Sequence, residues 1–311
     1  MFLVSGMSSP LNFILQRQQN IVLFTQGQVS ISIDILGKQV LLFSHVNLKR
    51  GEHNMSDTFT IIGRCERTDM LGIGMATSSI CVAAHCPFAK ANIGAVSIQA
   101  YSDPRLGLLA IKLLEMGYSA PKVLAELKAS DPHIEYRQIG VVDKDGNGAA
   151  YTGSKNADWS GHITGKNYIA MGNYLAGEMV TRAIAESFEA SAGESLEERL
   201  MRAIEAGRDA GGQMDGLLYS SSILVYDRAV FPRVDLRVDH HKKPVNELRR
   251  ILDTYKPLIP YYMERVLDPE RYGFFTRWLV KHGTKEDLKR YFGSKLGTKE
   301  ALKKYYSKLD K

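Results

Sequence analysis

No stretch of the 311-residue chain is apolar for long enough to cross a bilayer, because a spanning helix needs about 20 such residues in a row. A membrane protein is not expected. GxxxxGK[ST], GxSxG, HExxH and a glycine-rich turn between strand and helix are also missing, which removes the commonest phosphate-binding, esterase, zinc-protease and dinucleotide readings. The GxG within GIGMATSS has no third glycine and no following helix, so it reads as a tightly packed strand. Cysteine is scarce, and Cys65, Cys81 and Cys86 form neither a CxxC pair nor an even disulfide framework. Free thiols in a reducing, cytoplasmic compartment follow, with no structural metal and no cofactor. The start, MFLVSGMSSPLNFILQRQ, has neither a basic n-region nor a good cleavage site and is not read as a signal peptide. A large charge imbalance is lacking too: 40 basic against 34 acidic residues give +6. Much of that excess lies in the last thirty residues, as expected of a solvated basic tail and not of a nucleic-acid surface.

What is present is the composition of a soluble globular protein, 44% hydrophobic and 24% charged, enough for one large domain or two smaller ones. Residues 1–54 are Gln-rich and patchily apolar, with an alternation in VSISIDILGKQVLLF that suits a hairpin. Two readings stand side by side for them. They form an N-terminal extension, or Lys49-Arg-Gly-Glu-His-Asn-Met55 is a ribosome-binding sequence read in frame and the natural protein begins at Met55. The expected division is therefore an atypical extension at 1–54, a main domain at 55–260 and a basic helical appendage at 261–311.

From Thr58 the pattern is denser. TFTIIGRC and GIGMATSS read as strands joined by a polar turn, and NIGAVSIQAY is a further strand after a connector poor in helix signals. Residues 104–129 carry helical periodicity in two bursts, divided by Gly117 and the Ser119-Ala-Pro121 start signal. IEYRQIGVVDKDGNGAAYTGS is a hairpin turning at Asp145-Gly146. NYIAMGNYLA leads into a helix from about Gly177 to Ser191, and LEERLMRAIEAGRDAG makes another. SSSILVYD and VDLRVDHH read as strands, and VNELRRILDTY as a short amphipathic helix. Strands, two helices, strands, two helices, strands is not a βαβ alternation. It implies a layered α+β sandwich of two antiparallel sheets with helix pairs outside them. GTKEDLKRYF then recurs as GTKEALKKYY, two basic helices with Thr at the N-cap, either a solvated tail or a docking surface for an acidic partner.

The candidate chemistry is dispersed. After the strand VDLRV, Asp239 and His241 share a face with Asp235 and Arg237, as a hydrogen-bonding cluster or part of a metal site. His162 follows Trp159 in DWSGH and is placed in a loop, lining a pocket or capping a turn. His85 and Cys86 are adjacent on an extended segment and point to opposite faces, so Cys86 is read as a buried structural thiol. Thr58 is the remaining candidate. A threonine hydroxyl is a poor nucleophile unless a base takes its proton, and a free α-amine on the same residue, with pKa near ~8, can do so. Gln99, Asn173 and the run Thr77-Ser78-Ser79 could stabilise an oxyanion beside it. The plain alternative is that threonine is simply a good strand residue.

TFTIIGR, GIGMATSS, NIGAVSIQAYSDPRLG, RQIGVVDKDGNGAAYTGS, WSGH, GNYLAG, RLMRAIEAGRDAGG and DLRVD..H..P..EL, in this order, resemble the domain-of-unknown-function ten-twenty-eight family, grouped with the N-terminal nucleophile (Ntn) hydrolases. The resemblance runs from about Thr58 to Tyr255. It implies a four-layer αββα sandwich, and it makes Thr58 the counterpart of a threonine that in typical members follows the initiator methionine. This chain departs from that pattern. Ser56 and Asp57 intervene after Met55, so exposure of Thr58 requires cleavage of the Asp57–Thr58 bond, as occurs in the similar glycosylasparaginase branch. His240 replaces a usual acidic residue, and GGQMDGLLYSSS lacks the usual charges.

The function expected is an Ntn-type amidohydrolase acting on a small amide or peptide-like substrate. Thr58 is the nucleophile, Asn173 and Gln99 hold the oxyanion, and Arg237, Asp239, His241, His162 and Trp159 contact the substrate. No cofactor, nucleic acid or membrane is involved, and the exposed helix pairs suit a homodimer. The alternative is a non-catalytic relative that binds a ligand or partner in the same cleft.

Overall fold

The computed structural model describes residues 57–296 except 273–274, together with four earlier strands. The chain divides into two compact units, residues 1–54 and 55–311. In the first, β1 (Ile14–Arg17), β2 (Asn20–Thr25), β3 (Gln28–Ile35) and β4 (Lys38–Ser44) form an antiparallel meander in sequential order. The hairpin expected in VSISIDILGKQVLLF is the β3–β4 pair.

The second unit is α+β, with two antiparallel sheets. One has the order β10-β9-β8-β7 and the other β11-β12-β5-β6-β13-β14. The strands are β5 (Thr58–Arg64), β6 (Leu71–Thr77), β7 (Pro87–Lys90), β8 (Gly94–Ala100), β9 (Arg137–Asp143), β10 (Gly148–Thr152), β11 (Gly161–Gly165), β12 (Tyr168–Asn173), β13 (Ser220–Tyr226) and β14 (Val234–Val238). Helices α1 (Pro104–Glu115) and α2 (Ala120–Ser130) separate β8 from β9, whereas α3 (Glu178–Ala190) and α4 (Leu196–Asp209) separate β12 from β13.

Alternation along the strands distributes the core. On β5, Ile62 belongs with Ile73, Met75, Ala95, Val142 and Met171 in a cluster contributed by both sheets. Phe59 and Ile61, on the opposite face, pack with Ile184, Phe188, Leu200 and Ile204 of α3 and α4. Val96, Ile98, Ile139 and Val141 of the smaller sheet pack with Leu106, Ala110, Val123 and Leu127 of α1 and α2. Close approach of the sheets needs a residue without a side chain at Gly140, where a Cβ would lie 2.7 Å from Ile62 Cδ1. The hairpin turn is likewise sequence-encoded: Gly146 has φ +86°, a left-handed conformation that glycine adopts without steric cost.

Two local expectations are corrected. The segment before β8 is no plain connector, since it holds a 3-10 turn at Val82–Ala84 and the edge strand β7. His162 is not in a loop but on β11, whose short Gly-flanked sequence, GHITG, gives little strand signal by itself. Ser119 does cap α2 by position, but the Ala120 N–H donates to Asp143 Oδ2 at 3.0 Å and not to the serine hydroxyl.

After β14, α5 (Pro244–Tyr255) packs Val245, Leu248 and Leu252 on the α3/α4 side. Four helices follow: α6 (Ile259–Leu267), α7 (Pro269–Tyr272), α8 (Phe275–His282) and α9 (Lys285–Leu296). Helices α6, α8 and α9 share their own cluster of Tyr261, Trp278, Leu279 and Leu288. GTKEDLKRYF supplies α9, and Thr284 caps it reciprocally: the Asp287 N–H donates to Thr284 Oγ1 at 3.1 Å, and the Thr284 N–H to Asp287 Oδ2 at 2.9 Å. The second repeat, GTKEALKKYY, lies outside the described residues.

Candidate active site

Strand pairing alone sets Asn173, Thr58, Thr77 and Ser220 side by side, because Asn173 pairs with Thr58, Thr58 with Thr77 and Thr77 with Ser220. Paired residues project to the same face, here the face turned to the smaller sheet. The result is a polar row at one end of the sheet.

Around Thr58 the hydroxyls form a directed chain. Thr58 Oγ1 donates to Thr77 Oγ1 at 3.2 Å. Thr77 Oγ1 also accepts from the Ser79 N–H at 3.1 Å, and itself donates to the carbonyl oxygen of Asp57. That carbonyl receives a second donor, Gln213 Nε2, at 2.7 Å. The chain of hydroxyls therefore begins on the candidate nucleophile and ends on the carbonyl of the preceding peptide bond. Asp57, Thr58, Thr77 and Gln213 are all buried, so these bonds are strong relative to the same bonds in water.

Gln213 comes from the loop between α4 and β13, which lies across this end of the sheet. Its backbone bridges to Leu175, Met214 N–H donates to the Tyr174 carbonyl, and Tyr219 N–H donates to the Thr77 carbonyl.

Behind Thr58 a second network is organised by Gln138 of β9. Its Oε1 accepts from Gln99 Nε2 at 2.7 Å and from Asn173 Nδ2 at 3.0 Å. Its Nε2 donates to Thr152 Oγ1 and to the carbonyls of Gly161 and Gly172 at 2.8–3.1 Å. Acceptors on one side and donors on the other leave the amide only one orientation. Gln99 is fixed in the same way: Oε1 accepts from Thr60 at 2.6 Å and Ser97 at 3.3 Å, while Nε2 also donates to the Thr58 carbonyl at 3.2 Å. Both Gln99 amide protons are engaged. It therefore positions the Thr58 backbone, whereas Asn173 has one amide proton beyond its bond to Gln138.

His162 joins this network through Thr152 Oγ1, 2.9 Å from its Nδ1. Partial desolvation of the ring lowers the His162 pKa below its ordinary value. Trp159 is half-buried against the α3/α4 core, and its carbonyl accepts from the Leu175 N–H at 2.9 Å.

Arg237, Asp239 and His241 are not brought to Thr58. They lie on or just after β14, the sheet edge three strands from β5, about 14 Å at ordinary strand spacing. Arg237 Nε instead donates to Asp235 Oδ1 at 2.9 Å, Asp239 accepts through its carbonyl from Cys81 N–H, and His241 Nδ1 accepts from Lys243 N–H at 3.1 Å. Cys86 is buried, and burial pushes its thiol pKa up to about 12. Among the described residues no three His, Cys, Asp or Glu side chains form a metal-holding group. Reading the sequence missed Gln138 and Gln213. The first had a signal, a glutamine at an inward position of an apolar strand; the second, in GGQMDG, had none.

The profile of a family described as “Family of unknown function (DUF1028)” matches residues 58–248. The chain belongs to the DUF1028 family. A crystal structure of another DUF1028 protein, from Silicibacter pomeroyi, is 32% identical with a TM-score of 0.61, over 65% of this chain and 87% of that one. The Anbu (ancestral beta-subunit) structure from Yersinia bercovieri matches 66% of this chain and 97% of its own at 10% identity. Its TM-score of 0.33 carries no argument. No curated protein matches the chain.

Proposed function

We propose that this DUF1028 protein is an Ntn-type amidohydrolase for small amides, built as a four-layer αββα sandwich, with Thr58 as nucleophile once its amine is free. The observation that carries this reading is the hydroxyl chain from Thr58 through Thr77 to the doubly held carbonyl of Asp57. Supporting the layers are three separate apolar clusters, one contributed by both sheets and one on the outer face of each. The family match beginning at Thr58 agrees with a role for that residue as a first residue.

In the intact chain the Thr58 nitrogen is an amide and cannot serve as a base. Cleavage of Asp57–Thr58 supplies the missing amine. Thr58 Oγ1 attacks the Asp57 carbonyl carbon, and the hydroxyl proton passes to the departing Thr58 nitrogen. The C–N bond breaks and leaves an ester on Oγ1. Water hydrolyses that ester, giving an Asp57 carboxylate, the Thr58 hydroxyl and a free Thr58 amine. Throughout, Thr77 and Gln213 face the oxygen on which charge develops, the placement that oxyanion stabilisation requires.

The same parts serve turnover. The Thr58 amine takes the proton of its own hydroxyl, and Thr77, Gln213 and the remaining Asn173 proton hold the substrate's oxyanion. Gln99 and Gln138 keep Thr58 and Asn173 in place, and His162 and Trp159 border the site. Arg237, Asp239 and His241 contact only a substrate long enough to reach the sheet edge. A non-catalytic, ligand-binding role is favoured by one feature: the Thr58 hydroxyl and the Asp57 carbonyl are fully engaged in the uncut chain, as in a structural polar lock.

N-terminal sequencing and amidase assays of wild type and Thr58→Ala separate the two. The hydrolase reading expects Thr58 as a new N-terminus and loss of both cleavage and amidase activity in the variant. Thr58 exposed, with no amidase activity that depends on it, refutes hydrolysis.

A further inference from the structure

Asp57, the residue in front of the nucleophile, occupies a site of its own. It is 2% exposed. Its carbonyl lies between the Thr77 hydroxyl and the Gln213 amide, and its carboxylate oxygen Oδ1 accepts from the Ser78 hydroxyl. Thr77 and Ser78 are consecutive, so one strand end supplies both the carbonyl clamp and the side-chain contact. Beside the clamp, Gln213 Oε1 is buried and has no hydrogen-bond partner among the described residues. A buried amide oxygen left in that state is costly unless a donor arrives.

Resting on the hydrolase reading above, we infer that the Asp57 site is the enzyme's acyl pocket and that its substrates are amides of aspartyl-like acyl groups, with a short side chain ending in a carboxylate or carboxamide oxygen. The two reactions share an intermediate type. Attack of Thr58 on Asp57 gives an aspartyl ester on Oγ1, and attack on an aspartyl amide gives an ester on the same oxygen with the same side chain. A pocket shaped for the first accepts the second. The Ser78 hydroxyl meets the side-chain oxygen, and the clamp of Thr77 and Gln213 meets the reacting carbonyl. An alanyl group leaves Ser78 without its acceptor, and a lysyl group sets an ammonium donor against a hydroxyl whose partner should be an acceptor. A site built on such hydrogen bonds rejects analogues lacking them by well over tenfold.

The test uses the full chain in two forms. In protein whose intact mass shows Thr58 exposed, the rates of N-acetyl-aspartyl, N-acetyl-alanyl and N-acetyl-lysyl p-nitroanilide hydrolysis are compared. The expected kcat/KM is at least tenfold higher for the aspartyl compound, with that preference lost in Ser78→Ala. In the uncut chain, Asp57→Gly vacates the side-chain position, and acetate, the chemical equivalent of that side chain's end, is the probe. Acetate should raise the melting temperature of Asp57→Gly saturably, and should not do so when Ser78→Ala is added. Equal rates on the three anilides overturn the pocket assignment and leave the hydrolase reading standing. Acetate rescue without hydrolysis of any anilide supports the pocket and overturns the hydrolase reading. Absence of both effects overturns both.

Discussion

Replacing Gln138 by leucine removes the centre of the polar network while keeping roughly the same volume. Five hydrogen bonds go with it, from Gln99 and Asn173 into Oε1 and from Nε2 to Thr152, Gly161 and Gly172. Each buried group left unsatisfied costs about 1–3 kcal/mol. At the low end of that range, and with about 1–2 kcal/mol returned by burying an apolar side chain, the loss is about 3–4 kcal/mol. For a domain of this size the melting temperature should fall by roughly 6–16 °C, read by calorimetry. Gln138→Glu sharpens the test. A carboxylate can accept from Gln99 and Asn173 but cannot donate to the three acceptors opposite. Only the protonated acid can donate, so folding favours the proton and raises this group's pKa above its unfolded value of ~4.3. The Glu variant's stability relative to wild type is therefore best below about pH 4 and declines as pH rises through the raised pKa. A Gln138→Leu melting temperature within about 3 °C of wild type, or a Glu variant as stable as wild type at pH 7, refutes the orientation assigned to this network.

Thr77→Val keeps the shape of the side chain but removes one of the two donors to the Asp57 carbonyl and the hydroxyl that accepts from Thr58. Cleavage of Asp57–Thr58, followed by intact mass, should slow by about 10²–10³-fold, as loss of one oxyanion donor does; a rate within a factor of three of wild type contradicts that role for Thr77. Burial pushes the Cys86 thiol up to about 12, so at pH 8 iodoacetamide should label the half-buried Cys81 and leave Cys86 untouched until the protein unfolds. Peptide mapping showing Cys86 labelled first would count against its buried position. Burial acts to raise the Glu198 pKa, but hydrogen bonds from Arg249, Arg202 and Lys256 outweigh it and hold the group at about 2. A depressed pKa stabilises the fold above the unfolded value of ~4.3, and that contribution is lost as pH falls through the folded value. Glu198→Gln should thus cost on the order of 1–2 kcal/mol at pH 7, after allowance for solvent screening, and almost nothing near pH 2. Equal destabilisation at both values contradicts the ion-pair account.

The elements with strong periodicity were legible from the sequence. Strands β5, β6, β8, β9 and β10 and helices α1 to α5 all follow apolar patterns or turn signals, and the T-x-x-D cap of α9 is where the sequence places it. Strands β7 and β11 were not, because PFAK and GHITG are short edge strands with too few residues to show an alternating pattern. The candidate site was partly legible as residue types. Thr58, Asn173, Gln99 and His162 stood out as residue types, and the structure joins them in connected networks. Their connection passes through Gln138, whose partners lie up to 39 residues away, and through Gln213, which is 156 residues from Asp57. The Arg237, Asp239 and His241 group stands apart from Thr58 for the opposite reason. It is clustered in sequence, but the order of the sheet carries it to the edge.

Intact-mass and N-terminal analysis of the purified full chain tests the central claim most directly, since everything proposed for catalysis depends on a free amine at Thr58. The account predicts a mature chain that begins at Thr58 in wild type and remains joined to Asp57 in Thr58→Ala. A wild-type chain in which the Asp57–Thr58 bond stays whole, under conditions where the fold is intact, contradicts it.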